Sequence, residues 1–278
     1  MTSEITIRPF STVEDYQSCV ELQEDTWGEG FSERVPSAIL KVAQMLGGVS
    51  AGAYNASDGL VGFVFGMTGP RNGEVVHWSD MLAVRPEARD TGLGLRLKEY
   101  QRDAVMARGL DKMYWSFDPL QSRNAHLNIA KLGAVVRDYA TDMYGQTDSP
   151  LHRGIGTDRF VALWMLSSGR VRERLASGGG AVVPEGIQDS PAALDAQREG
   201  LHLSPGTPNL TLGNDEVRVA IPSDITALMD DEVGLAREWR SATRSVFTHY
   251  LMSGYEIRGF ARGPSVSYYL LARYQDAE

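Results

Sequence analysis

The run Leu82-Ala83-Val84-Arg85-Pro86-Glu87-Ala88-Arg89-Asp90-Thr91-Gly92-Leu93-Gly94-Leu95 ends an apolar strand, turns through Pro86 and opens a helix on Arg89-x-x-Gly92-x-Gly94. Glycines at those two positions let backbone N–H groups approach a phosphate, and the following helix offers the positive end of its dipole. The stretch therefore reads as an anion cradle. Charge agrees with this. Six basic residues (Arg85, Arg89, Arg96, Lys98, Arg102, Arg108) against four acidic ones (Glu87, Asp90, Glu99, Asp103) leave the segment at +2 in a chain of net charge −9. The plain alternative is a solvated amphipathic helix with a glycine-rich start. The spacing is not the Gly-x-Gly-x-x-Gly of a dinucleotide site, and no Gly-Lys-Ser/Thr phosphate loop is present.

Working outward, the chain before the cradle reads as strand (Ile5 to Pro9), a helix capped by Ser11 or Thr12 and running to Trp27, and a second helix after Pro36. Three antiparallel strands follow: Val49 to Tyr54, Leu60 to Met67 and Val75 to Val84, joined by turns at 55–59 and 69–73. After the cradle come a helix over 92–108, an aromatic strand Met113 to Phe117, a helix Asn124 to Leu132 stopped by Gly133, and strands Val135 to Met143 and Phe160 to Leu166. Strand, helix, strand, helix, strand needs a partly parallel sheet. The expected fold class is α/β, with a mixed sheet flanked by helices and an α+β segment at the C-terminus.

Three regions follow: 1–167 as the first domain, 168–215 as an irregular connection with one short helix near Ala192 to Arg198, and 216–278 as the C-terminal segment. The last has a strand at 217–221, a long helix from Ile225 to Tyr250 broken near Gly234, and strands Tyr255 to Phe260 and Ser267 to Leu271. Its helix, Gly254, strand, loop, strand layout repeats the layout of His126 to Leu166. That makes the tail a degenerate copy of the end of the first domain.

The 278 residues, 42% hydrophobic and 23% charged, are ordinary globular composition and exclude a disordered, collagenous or rod-like chain. The acidic balance argues against nucleic acid as a partner. One cysteine, Cys19, excludes an internal disulfide and a multi-cysteine metal site, and five scattered histidines suggest no metal site. The start, MTSEITIRPF, shows no signal-peptide pattern, and no apolar run reaches the ~20 residues of a membrane span. The default location is the cytoplasm, without membrane association.

Val84, Pro86, Arg89, Gly92 and Gly94, followed by Asn124 and Lys131-Leu132-Gly133, resemble the signatures of the GNAT superfamily of acyl-CoA-dependent N-acyltransferases. The strand and helix order over residues 4 to 166 fits that family as well. The resemblance implies that Arg89, Asp90, Thr91, Gly92, Leu93, Gly94 and Leu95 form the pyrophosphate loop. It implies that Leu82 and Val84 pair with the pantetheine arm, and that Asn124 contacts the cofactor near its reactive end. Strand Met113 to Phe117 is then expected to splay from the strand before it, leaving a slot for the thioester. Acetyl-CoA or another acyl-CoA is the implied co-substrate. The implied acceptor is a primary amine of a small molecule, an amino acid included, and a homodimer is one assembly left open. A succinyl-CoA-dependent amino acid N-succinyltransferase is the runner-up. A catalytically silent CoA-binding or assembly protein is the alternative of another class.

The usual proton donor of the family, a Tyr on the helix before Leu132-Gly133, is replaced by Ile129. Tyr139 and Tyr144, read as lying on the next strand, are the candidate substitutes. The amine must also lose a proton before it attacks. Asp80, at the position where the family places its base, is the first candidate and His77 the second. Strand alternation puts Asp80 on the face of Leu82 and Val84, with His77 and Ser79 pointing away. A backbone N–H near Leu82 is the expected oxyanion donor. The loop 118–124 is a candidate lining of the acceptor pocket or a helix entry with Ser122 as cap. The loop Gln146 to Arg159 contains His152, Arg153 and Arg159, and its arginines are candidate holders of a carboxylate on the acceptor or the acyl group, or plain surface arginines. Arg237, Arg240 and Arg244 share one helical face, a carboxylate site or, the preferred reading, a solvated face.

Overall fold

The structure, a computed structural model, describes residues 5–145, 154–199 and 202–274. The chain divides into two compact units: residues 1–115 with 165–168, and residues 116–164 with 169–278. The expected region 1–167 was drawn on element order; these units follow packing and place 116–164 with the C-terminal part.

The first unit is a mixed sheet with helices. β1 (Thr6–Pro9) leads into α1 (Val13–Trp27) and α2 (Ser37–Met45), then into β2 (Val49–Tyr54), β3 (Leu60–Arg71) and β4 (Glu74–Val84). α3 (Leu93–Met106) and β5 (Lys112–Phe117) follow, with residues 112–115 of β5 in this unit. β1, β2, β3 and β4 pair antiparallel in that order, and β5 joins β4 in parallel. This is the expected mixed α/β arrangement.

α1 starts where the sequence allows a cap. Thr12 accepts from the Asp15 N–H while Asp15 reaches back to the Thr12 N–H, a reciprocal capping box. Asp15 is buried, which alone raises its pKa. The Arg8 guanidinium, the N–H groups of Ser11 and Thr12 and the Tyr54 hydroxyl outweigh burial and hold the carboxyl well below the usual range. The apolar sides of α1 and α2 close on the sheet through Tyr16, Cys19, Leu22 and Leu40 against Phe63, Phe65, Met81 and Ala83.

The second unit contains α4 (Ser122–Ala125), which runs on as a π-helical turn over His126–Lys131, then β6 (Val135–Ala140) and β7 (Arg159–Met165). β6 ends at Ala140, so Tyr144 lies in the turn beyond it rather than on the strand. The stretch 168–215 is more ordered than expected. α5 (Gly169–Ala176) opens it, and the predicted helix near 192–198 is two short strands, β8 (Ala192–Leu194) and β9 (Ala196–Glu199), with β10 (His202–Pro205) pairing to β9. β8 lies parallel to β11 (Glu216–Pro222), so sheet pairing overrides the helical preference of its alanines. The long helix divides at Glu232 into α6 (Ile225–Asp231) and α7 (Val233–Met252). β12 (Tyr255–Ala261) and β13 (Val266–Arg273) complete the unit.

The matching layout of the two passages extends to their register. β6 pairs antiparallel with β7, β12 with β13, and β6 meets β12 at Val136↔Ile257. Each hairpin carries a bulge at the residue after that pair, Arg137 in β6 and Arg258 in β12. Each strand follows a helix ended by a left-handed glycine, Gly133 (φ 75°) and Gly254 (φ 81°). Two β-hairpins thus meet back to back with their corresponding residues at a constant sequence offset. The aromatic rings Phe160 and Tyr269 pack edge-on at 5.4 Å in the core beneath them.

Candidate active site

β4 sets the geometry. Its register to β3 shifts between Phe65↔Met81 and Gly66↔Ser79, which makes Asp80 the extra residue of a β-bulge. The bulge reverses the alternation, so the expected sharing of faces fails. Ser79 accepts a hydrogen bond from Lys98 of α3 at 2.7 Å, and His77 meets Gln101 of the same helix at 3.1 Å. Leu82 and Val84 also face α3, beside Gly94 and Leu97. His77, Ser79, Leu82 and Val84 therefore share one side, and Asp80 leaves it.

Asp80 keeps contact with solvent at the bulge. The surrounding protein nevertheless raises its carboxyl pKa by desolvation, partly offset by a hydrogen bond from Trp78. This is the direction a base near neutral pH requires. His77 is fully buried and pushed down to about 3, by burial first and then by the charges of Lys98 and Arg108. Its Nδ1 meets Thr68 Oγ1 at 3.1 Å and its Nε2 meets Gln101, while Thr68 passes its own hydrogen to Gly47 O. Both nitrogens of a neutral His77 are thus occupied inside the protein.

The turn after β4 is built as an open cradle. Arg89 Nε closes it by donating to Val84 O at 3.0 Å, and Thr91 Oγ1 donates to Ala88 O at 2.8 Å. Asp90 has φ 61°, and Gly92, the residue before α3, is left-handed at φ 83° with no side chain capping the helix. The first intrahelical bond runs from Arg96 N to Gly92 O, so the N–H groups of Leu93, Gly94 and Leu95 have no acceptor within the helix. A Cβ on Gly94 would meet only Leu82 Cδ2, at 3.9 Å. A Cβ on Gly92 would meet nothing within 4 Å, so among the described residues no side chain fills the turn beside these donors. Most of the local positive charge is committed elsewhere: Arg85 to Leu60 O and Asp25, Arg96 to Ile5 O, Arg102 to Leu166 O. The cradle is a backbone site rather than a basic patch.

β5 pairs with β4 at His77↔Met113 and Trp78↔Tyr114, and its register stops there while β4 runs on to Val84. The expected splay is present, and the Ser79–Val84 edge of β4 faces away from β3 without β5 beside it.

Solved structures similar to this chain include GNAT-family acetyltransferases. One is a putative acetyltransferase of the GNAT family from Desulfovibrio desulfuricans, 16% identical over 59% of this chain and 100% of that one, TM-score 0.47. A second is a phosphinothricin acetyltransferase from Sinorhizobium meliloti in complex with acetyl-CoA, 15% identical over 57% and 86%, TM-score 0.47. A third is the NatC complex bound to Gag peptide and CoA, 17% identical over 59% and 99%, TM-score 0.48. No family model and no curated protein matches the chain.

The remaining candidates lie in the second unit. Asn124 is exposed on α4. Ile129, where the resemblance implies a Tyr, is fully buried. The Tyr139 hydroxyl donates a short hydrogen bond to Asp158, and burial followed by that carboxylate raises its pKa well above the ordinary phenol value. Tyr144 is exposed, with its hydroxyl 2.9 Å from Ser116 Oγ at the end of β5.

Asp118 is buried and accepts two bonds from Arg240 Nη2, at 2.8 and 2.7 Å, and one from Leu120 N. Ser122 does not cap the helix; it donates to Ser223 O at 2.5 Å. The arginine face of α7 is not solvated either. Arg237 donates to Gly154 O, Arg240 to Ile155 O and Asp118, and Arg244 to Asp142 and Asp158, so the three stitch the β6–β7 connection to α7. Arg159 lies 3.7 Å from Asp118. His152 and Arg153 fall outside the described residues.

Cys19 is buried, and burial pushes its thiol up to about 12, the wrong direction for a nucleophile. Among the described residues no group of three or more His, Cys, Asp or Glu is placed to hold a metal, and no helix is long and apolar enough to cross a membrane. Sequence reading missed Lys98, a fully buried lysine at the β4–β5 divergence, because a lysine in a charged helix reads as solvated.

Proposed function

We propose that the chain is an acyl-CoA-dependent N-acyltransferase acting on a primary amine of a small molecule, with acetyl as the acyl group. The observation that carries this reading is the continuity of two features. The edge of β4 beyond Trp78 lacks β5, and it leads straight into a helix N-terminus with open, uncapped N–H groups. A phosphate-bearing molecule with an extended, amide-containing arm fits both. Its pyrophosphate takes the N–H groups of residues 93–95, with Arg89, Asp90, Thr91 and Gly92 shaping the turn, and its amides add strand-like to Leu82 and Val84. Asn124 is the further contact proposed near the reactive end.

Asp80 is the proposed base. It takes the proton of the incoming ammonium, which lets the amine attack the thioester carbonyl directly. A backbone N–H of the β4 bulge near Leu82 supplies the oxyanion donor. No enzyme nucleophile is needed, and buried Cys19 offers none. The acidic chain, at net charge −9, favours a small acceptor over nucleic acid.

The silent CoA-binding alternative draws on the buried Ile129 and on the commitment of the Tyr139 proton to Asp158. Thiol release from acetyl-CoA and succinyl-CoA, followed across amino acids, polyamines and aminosugars, separates the readings. Amine-dependent release is expected, and the acyl form that supports it distinguishes acetyl from succinyl transfer. CoA binding with no release from either donor across that panel would favour the silent protein.

A further inference from the structure

The parallel register His77↔Met113, Trp78↔Tyr114 places Ser79 and Trp115 at the next step, where the two strands part. Lys98 fills the fork between them from α3. Its Nζ donates to Ser79 Oγ at 2.7 Å and sits 4.0 Å from the centre of the Trp115 ring. The residue is only 4% exposed.

Among the described residues, the groups that face Lys98 carry no negative charge. β4 contributes Ser79 and a neutral His77; β5 contributes the Trp115 ring; α3 contributes Gln101, which is turned to His77, and Arg102, which is turned to Leu166 O and Asp103. Burial therefore pushes the Lys98 ammonium down to about 7. An amine that is buried without a counter-ion is an expensive way to fill space that Met or Leu would fill. Its place at the tip of the fork is also where a thioester on the β4 edge would lie.

We propose that Lys98, through the Ser79 hydroxyl, is the proton donor to the departing CoA sulfur. This rests on the acyltransferase reading above. In the step, the amine nitrogen forms a bond to the acyl carbon and the carbon–sulfur bond breaks with its electron pair going to sulfur. Asp80, having released the ammonium proton to solvent, takes the second nitrogen proton as the adduct collapses and releases that to solvent in turn. Sulfur takes the Ser79 hydroxyl proton, Ser79 takes one from the Lys98 ammonium, and Lys98 regains a proton from solvent. The arrangement supplies the acid that Ile129 cannot, while the Tyr139 hydroxyl proton is committed to Asp158.

The test compares wild type with Lys98→Met and Ser79→Ala. Thiol release from acetyl-CoA is read with the best amine of the panel between about pH 6 and 9, and CoA affinity is read by calorimetry. Lys98 must carry its proton to act, so wild-type kcat is expected to fall as pH rises through about 7. In Lys98→Met, kcat is expected to drop by about a hundredfold or more, with CoA affinity and the KM for acetyl-CoA within about twofold and with that alkaline limb gone. Ser79→Ala is expected to lower kcat in the same way, again with CoA affinity within about twofold.

Any of three results overturns the proposal: Lys98→Met within about threefold of wild-type kcat, an alkaline limb that survives the substitution, or CoA affinity falling in step with kcat, which marks a prop rather than a donor. A large loss confined to Tyr144→Phe would move the donor to Tyr144 and overturn it too. If Lys98→Met does not fold, a Ser79→Ala enzyme with wild-type kcat decides against the relay. A wild-type protein that does not bind acetyl-CoA removes the acyltransferase reading and this inference together. Turnover unaffected by either substitution removes this inference alone.

Discussion

Asp80 shows how a single inserted residue redirects a strand. Period-two alternation predicts Asp80 beside Leu82 and Val84. The bulge instead turns His77 and Ser79 onto the α3 face with them and leaves Asp80 on its own. Nothing in Trp78-Ser79-Asp80-Met81 announces this, because neither Gly nor Pro marks the spot. The consequence is chemical. Asp80 stays exposed at the bulge while the protein around it raises its carboxyl pKa, as its proposed role as base requires. Asp80→Asn is expected to lower kcat by about a hundredfold or more near neutral pH while leaving CoA affinity within about twofold, as measured by steady-state thiol release and calorimetry. Unchanged kcat would remove Asp80 from the reaction. Lys98 was equally hidden at this scale. It sits next to Leu97 in a helix dense with charge, and only the tertiary packing of α3 on the fork buries it.

At the scale of elements, the strand–turn–helix of 82–95 was legible because its chemistry is local. Pro86 fixes the turn, Gly92 adopts the left-handed conformation that a helix start without a side-chain cap uses here, and Gly94 keeps the donors accessible. Gly94→Val tests the cradle by itself. A Cβ there meets only Leu82 Cδ2, so the melting temperature should stay within a few degrees while the added bulk beside the donors lowers CoA affinity at least tenfold. Equal CoA binding by the variant would place the phosphates elsewhere.

The elements that escaped sequence reading depend on distant partners. β8 exists because Ala192–Leu194 pairs with β11 across the intervening chain, and the Pro- and Gly-rich stretch before it shows no periodicity to read. The arginines of α7 looked solvated because their acceptors, Gly154, Asp118, Asp142 and Asp158, lie more than eighty positions away in sequence.

At the scale of the whole molecule, each unit has its own logic. The first holds the bulge, the cradle and the Lys98 fork on one sheet. The second is organised by two related hairpins meeting at Val136 and Ile257, and is pinned by the buried Arg240–Asp118 pair. Removing one partner of such a pair strands the other charge. Asp118→Ala is expected to destabilise the protein by about 3–5 kcal/mol, read as a large fall in the denaturant midpoint. A change below ~1 kcal/mol would mean that water reaches Arg240 readily. The repeat was half visible in sequence as a layout around Gly133 and Gly254. The matching bulges at Arg137 and Arg258 emerge only once strands are paired.

The most direct measurement on the central claim is thermal unfolding of the wild-type protein with and without acetyl-CoA, with Gly94→Val beside it. A ligand at a hundred times its dissociation constant stabilises by about 2.7 kcal/mol, several degrees for a chain of this size. A rise of that order in the wild type, lost in Gly94→Val, is the predicted result. No rise at millimolar acetyl-CoA, or the same rise in both proteins, would contradict the assignment of residues 89–95 as the cofactor cradle.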